Sequence, residues 1–167
     1  MSLDACAELV ARGDPDRFRA VMAAPLHVRK VLLPIYAFNL EVARAPWMTA
    51  EPMIAEIRLQ WWRDAVGEIA EGRPVRRHEV ATPLAGVIDA EAAGVLDRLV
   101  EARRADCYGE PFEDAAAFRA YLAETAGGLM WVAARALGAA DPAPVRAAGQ
   151  AAGIAGFFLA LPELAAR

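Results

Sequence analysis

The chain has one serine, Ser2, one lysine, Lys30, two histidines and two cysteines among its 167 residues. Each scarcity removes a class of chemistry. A serine nucleophile needs a histidine base, and one serine with two histidines in unremarkable surroundings leaves no Ser/His/Asp site. Only a Cys107/His78 pair remains as a nucleophilic arrangement, and nothing nearby favours it. His27 and His78 cannot form a metal cluster alone. Cys6 and Cys107 stand about a hundred residues apart without CxxC spacing, which reads as two free thiols in a reducing compartment. The net charge of −4 comes with no basic stripe to neutralise phosphates, so no nucleic-acid partner is expected. No glycine loop follows a strand to cradle a phosphate. Asp4, Glu8, Asp14 and Asp16 near the start exclude a secretory signal. The longest uncharged stretch, Ala147 to Pro162, reads as too short and too rich in Ala and Gly to span a bilayer. The expectation is a cytoplasmic, soluble protein able to lie against a membrane.

What the sequence has in abundance is alanine, at 40 positions, and apolar residues at 57%. Alanine has the best intrinsic helix propensity, and no segment alternates apolar with polar, so the fold class is all-α without strands. Helices are expected over Leu3–Arg12 and, capped by the Asp14-Pro15-Asp16 turn, Asp16–Ala23. A third runs from Pro25 to Arg44, kinked at Pro34. A fourth, Ala50 to Glu71, places Ile54, Ile57, Trp61, Ala65 and Ile69 on one apolar stripe, widened by Trp62 and Val66. After an exposed loop from Arg73 to Thr82 come a short helix over Pro83–Ile88 and a longer one over Ala90–Asp106. Asp114 to Leu137 is helical with an interruption at Gly127-Gly128, where the small pair suits tight helix packing. The last helix opens at Asp141-Pro142 and breaks at Pro162. One domain over residues 1–167 is expected, without linker or repeat.

Mg²⁺ chemistry on diphosphates needs carboxylates spaced to share the ion on one helix face. The nearest pairs, Asp14/Asp16 and Glu113/Asp114, sit at helix starts, where capping explains them. The helix from Pro25 to Arg44 carries a single carboxylate, Glu41, and the last helix only Glu163. No metal site and no cofactor are expected.

Four segments together resemble the squalene/phytoene synthase family. Leu33-Pro-Ile-Tyr-Ala-Phe-Asn39 is similar to its "YAF" helix, and Ile57-Arg-Leu-Gln-Trp-Trp-Arg-Asp64 to its Trp-rich second inner helix. Asp106 through Phe112 and Tyr121 to Ala126-Gly127-Gly128 resembles the central segment, although Pro111 replaces an arginine. Gly149-Gln-Ala-Ala-Gly153 with Phe157-Phe158 stands where the second aspartate-rich helix begins. The order is right and nearly the whole chain is covered.

The resemblance implies an isoprenoid-synthase-like helical bundle around a cavity, joining prenyl diphosphates head to head. Two facing aspartate motifs would hold Mg²⁺ there. At the implied positions this chain has Ala43, Arg44, Trp47 and Met48 in the first motif and Gly156 and Ala160 in the second. The fold is expected to persist and the catalytic residues to be absent. One branch of the family fits that pattern: the silent relatives that assist respiratory complex I assembly, which implies a place at the inner membrane. Three readings compete: a non-catalytic assembly or scaffold protein, a prenyl transferase with altered metal binding, and an isoprenoid- or lipid-binding protein.

The residues expected to line a vestigial cavity or groove are Tyr36, Asn39, Glu41, Arg44, Arg58, Trp61, Gly127 and Gly128. A plainer account makes Arg58, Arg63 and Asp64 a solvated helix face and Trp61 and Trp62 core. The last helix is apolar around nearly its whole circumference, and in the family further helices cover it. Phe157, Phe158 and Leu161 are therefore expected to meet a partner protein, a second copy, a membrane surface or closing helices outside this chain.

Overall fold

Leu33, Ile35, Phe38 and Val42 are all but fully buried, together with most of their helical neighbours, so one helix runs through the middle of the molecule. The computed structural model describes residues 3–165, with side chains through residue 162. Among the described residues every regular element is helical. In order they are α1 (Leu3–Gly13), α2 (Pro15–Met22), the central α3 (Leu26–Arg44), a 3₁₀ turn (Ala45–Trp47) and α4 (Pro52–Ala70). Then follow α5 (Ala81–Ala85), α6 (Ala90–Ala102), a second 3₁₀ turn (Arg103–Cys107), α7 (Ala115–Leu122), a π turn (Ala123–Gly127), α8 (Gly128–Ala136) and α9 (Pro142–Ala165).

Aspartates set three starts. Asp14, Asp89 and Asp114 each accept a hydrogen bond from the backbone N–H three residues on, at 2.9, 2.8 and 2.7 Å. One carboxylate of each pair singled out by sequence, Asp14 and Asp114, is thus occupied in capping. α3 packs on α1, α2, α4, α5 and α8, and α4 lies along α6. Phe38 meets Trp62 edge to face at 5.3 Å between ring centres. Burying a side chain of that size stabilises the fold by about 1.5–3 kcal/mol.

Several expectations need correction. α4 buries only part of the stripe read from its spacing: Ala65, Trp62 and Val66 are buried, and Trp61 and Ile69 are half-buried against the core. Its buried ridge is Ala55, Leu59, Trp62, Ala65 and Val66, while Ile54 and Ile57 are 42% and 64% exposed. The helix carries apolar residues on opposite sides, so periodicity alone leaves its rotation open, and packing on α3 and α6 decides it. The helix from Ala90 ends at Ala102, and its last turn tightens to 3₁₀ geometry. The short helix begins at Ala81, inside the expected loop, where His78 Nδ1 accepts from Val80 N at 3.1 Å. The interruption of the long helix starts at Ala123, before the glycine pair. α3 is continuous through Pro34 and α9 through Pro162. Pro162 stands three residues before the end of α9, so the ladder bond it removes leaves little to unwind. Pro34 stands midway along α3, which runs on through it at the cost of one ladder bond.

The bilayer reading also changes. Pro142–Pro162 is long and apolar enough to cross a membrane by length and composition, with mean hydropathy 1.2. The segment is longer than the uncharged stretch because it takes in the first turn of α9 and Arg146. In the fold this helix lies against the π turn, α7 and α8.

Candidate functional site

Where α3, the π turn and α9 converge they leave a cavity of about 530 Å³. The close approach of α9 depends on glycine. A Cβ on Gly153 would lie 2.6 Å from the Ala126 methyl, and one on Gly127 3.2 Å from the Arg146 carbonyl. The π turn above this crossing admits one extra residue to the helical register. Thr125 Oγ1 donates to the Tyr121 carbonyl at 2.7 Å there, and Tyr121, Thr125 and Leu129 all line the cavity.

The polar end is built by Arg103, Asp106 and Tyr121. Arg103 Nη1 donates to Asp106 Oδ2 at 3.0 Å and to the Tyr121 hydroxyl at 2.5 Å. That hydroxyl donates in turn to Asp106 Oδ2 at 2.9 Å. The Arg103 and Asp106 side chains are only 22% and 16% exposed, and Arg103 Nε is buried without a partner among the described residues. Burial pushes the Tyr121 phenol well above its ordinary 10.0. Burial works against the Arg103 charge, but Tyr121 and Asp106 outweigh it and hold the guanidinium protonated. At the neighbouring wall Arg17 sits 4.8 Å over the Tyr36 ring and pairs with Asp14 at 3.1 Å. Burial raises the Tyr36 phenol as well.

Of the residues singled out by sequence, Tyr36 and Asn39 line this cavity. Glu41, Arg58 and Trp61 line a different, smaller one of about 170 Å³, with Trp62 and His78. Arg58 Nη1 there meets Met48 Sδ at 3.3 Å. Arg44 is exposed at the end of α3, outside both cavities. Gly127 and Gly128 are buried in helix packing, the first under α9 and the second 3.3 Å from Val95 by its would-be Cβ. Arg63 reaches across to α6, gripping Asp97 at 2.7 and 3.0 Å and Glu101 at 2.5 Å, while Asp64 accepts from Gln60 at 2.8 Å.

Phe157 is half-buried and packs on Phe118 and Phe112 at 4.8 and 6.1 Å. Phe158, Leu159 and Leu161 form the outer face of α9, with Phe158 60% exposed and Leu159 82%.

Arg17, Arg103 and Thr125 were not among the residues picked from sequence. The Arg103-x-x-Asp106 spacing at a helix end is the one signal that pointed there. Among the described residues no group of three or more His, Cys, Asp or Glu side chains gathers to hold a metal. Asp106 is the one carboxylate among the described residues that line the large cavity, and its Oδ2 already accepts two hydrogen bonds. Four of the six positions where the resemblance implies metal-binding residues border it, Ala43 and Trp47 on one side and Gly156 and Ala160 on the other, while Arg44 and Met48 do not. None carries a carboxylate, so these residues do not fit a pair of Mg²⁺ ions.

The squalene/phytoene synthase family profile matches residues 10–167. A Drosophila melanogaster protein described as a homologue of NADH dehydrogenase (ubiquinone) complex I assembly factor 6 is 31% identical over 67 residues. That match covers 40% of this chain and 20% of the fly protein, so the chain aligns with only a fifth of that relative's length. No solved structure matches the chain.

Proposed function

The chain belongs to the squalene/phytoene synthase family, and we propose that it is a non-catalytic member serving as an assembly or scaffold factor of the respiratory complex I type. One observation carries the reading. The four cavity-lining positions at which the family resemblance implies metal ligands are Ala43, Trp47, Gly156 and Ala160. Drawing off diphosphate needs a cation clamp on the leaving oxygens, and neither wall offers the ligands. The fly relative's description points to complex I rather than to another client. Such a factor works at the inner membrane, and the outer face of α9 around Phe158 and Leu161 is the surface by which it would hold its client.

Deleting the gene in its source cell, then resolving membrane complexes on native gels, tests the reading. Loss of assembled complex I, restored by the wild-type gene, is expected. Incubating the protein with labelled farnesyl diphosphate and Mg²⁺ should release no diphosphate above a boiled control. Intact complex I in the deletion, or metal-dependent release, overturns the proposal.

A further inference from the structure

We infer that the large cavity binds an apolar chain ending in a single carboxylate, held by Arg103 without a metal. The inference rests on reading the cavity as non-catalytic and names what it holds instead. Its walls are apolar through Leu122, Leu129, Met130 and Phe157, and its volume of about 530 Å³ lies within the range of small-molecule pockets.

The head group follows from charge and from unspent donors. Two guanidinium groups, Arg17 and Arg103, border the cavity beside one bordering carboxylate, Asp106, and Arg17 also pairs with Asp14 behind the wall. Arg103 spends Nη1 on Asp106 and Tyr121, and its Nη2 has no protein partner among the described residues. Asn39 is buried, and neither its carboxamide nor the Tyr36 hydroxyl has a hydrogen bond among the described residues. These groups open onto the cavity, where a ligand oxygen can meet them, and beside them Arg103 Nε is a buried donor with no partner among the described residues. A carboxylate supplies two acceptor oxygens and one negative charge, the geometry a guanidinium edge favours. A diphosphate brings several negative charges to a wall without cation ligands. An alcohol offers the Arg103 guanidinium edge one oxygen and no charge, the weaker partner of the two.

The test follows dansyl-undecanoate fluorescence with the whole chain and displaces the probe with palmitate, hexadecanol, or farnesyl diphosphate with and without Mg²⁺. Palmitate should compete at least tenfold better than hexadecanol and better than the diphosphate, with no effect of Mg²⁺. Arg103→Gln should weaken palmitate at least tenfold. Because that change disturbs a buried network, Ala152→Phe is the second variant. Ala152 is exposed on α9 yet lines the cavity, so the ring fills the space and leaves Arg103 intact. It should abolish probe binding. Equal competition by the alcohol, no binding, or binding that survives Ala152→Phe and is lost in Phe158→Asp overturns the inference. No carboxylate binding with no diphosphate cleavage overturns this inference alone. Mg²⁺-dependent cleavage overturns the non-catalytic reading beneath it.

Discussion

Gly149 of α9 sits directly on Gly127 at the end of the π turn. A Cβ at Gly149 would stand 2.8 Å from the Gly127 Cα and 2.7 Å from the Ala126 carbonyl oxygen. Both are backbone atoms, so no side chain can swing aside. Gly149→Ala should therefore destabilise the protein by about 1–3 kcal/mol, the usual cost of overpacking. Gly156→Ala, on the same helix with nothing within 4 Å, should gain up to about 1 kcal/mol from helix propensity. Urea denaturation of the two variants reads the difference, and equal effects would mean α9 does not cross where described.

Asp106 faces both Arg103 and Tyr121 in a largely buried place. Removing one partner of such a pair leaves a charge uncompensated, at a cost of about 3–5 kcal/mol. Asp106→Leu should unfold the protein at much lower denaturant. The double variant Arg103→Met with Asp106→Leu should recover part of that loss, since no orphaned charge remains. A double variant as unstable as the sum of its singles would show that the pair is not coupled.

Cys6 is fully buried, and its thiol donates to the Glu79 carbonyl at 3.6 Å. Burial, helped by Glu79, raises its pKa from an ordinary 9.0 to about 11. Above pH 9 the unfolded chain releases this proton while the native one keeps it, so unfolding is favoured by base. The stabilisation is full below pH 9 and lost as pH rises through about 11. Cys6→Ala should flatten that part of the stability profile; what remains belongs to Tyr36, Cys107, Tyr108 and Tyr121, all shifted in the same direction. At pH 8 an alkylating reagent should reach the half-buried Cys107 well before Cys6.

The order and class of the helices were legible because capping aspartates, prolines and apolar spacing are local signals. The rotation of α4 was not. With Ile54 and Ile57 opposite Leu59 and Trp62, only the surfaces of α3 and α6 choose the buried side. Tyr36 and Asn39 were legible as lining because they share the inward face of a helix buried nearly all round. Glu41, two residues after Asn39, faces the smaller cavity instead. Arg103 was hidden by distance: its partner Tyr121 lies 18 residues on, beyond a loop.

The π turn from Ala123 to Gly127 also determines which changes of chain length the fold can accept. It is an α-helix with one residue to spare, so deleting a single residue would restore a regular ladder. The same deletion would rotate every upstream side chain by about 100° relative to α8. Tyr121 would then leave Arg103, and Phe118 would leave Phe157. One residue removed here is a larger lesion than several removed from the 73–80 connection, and length variants selected for folding should accumulate in the latter and avoid the former.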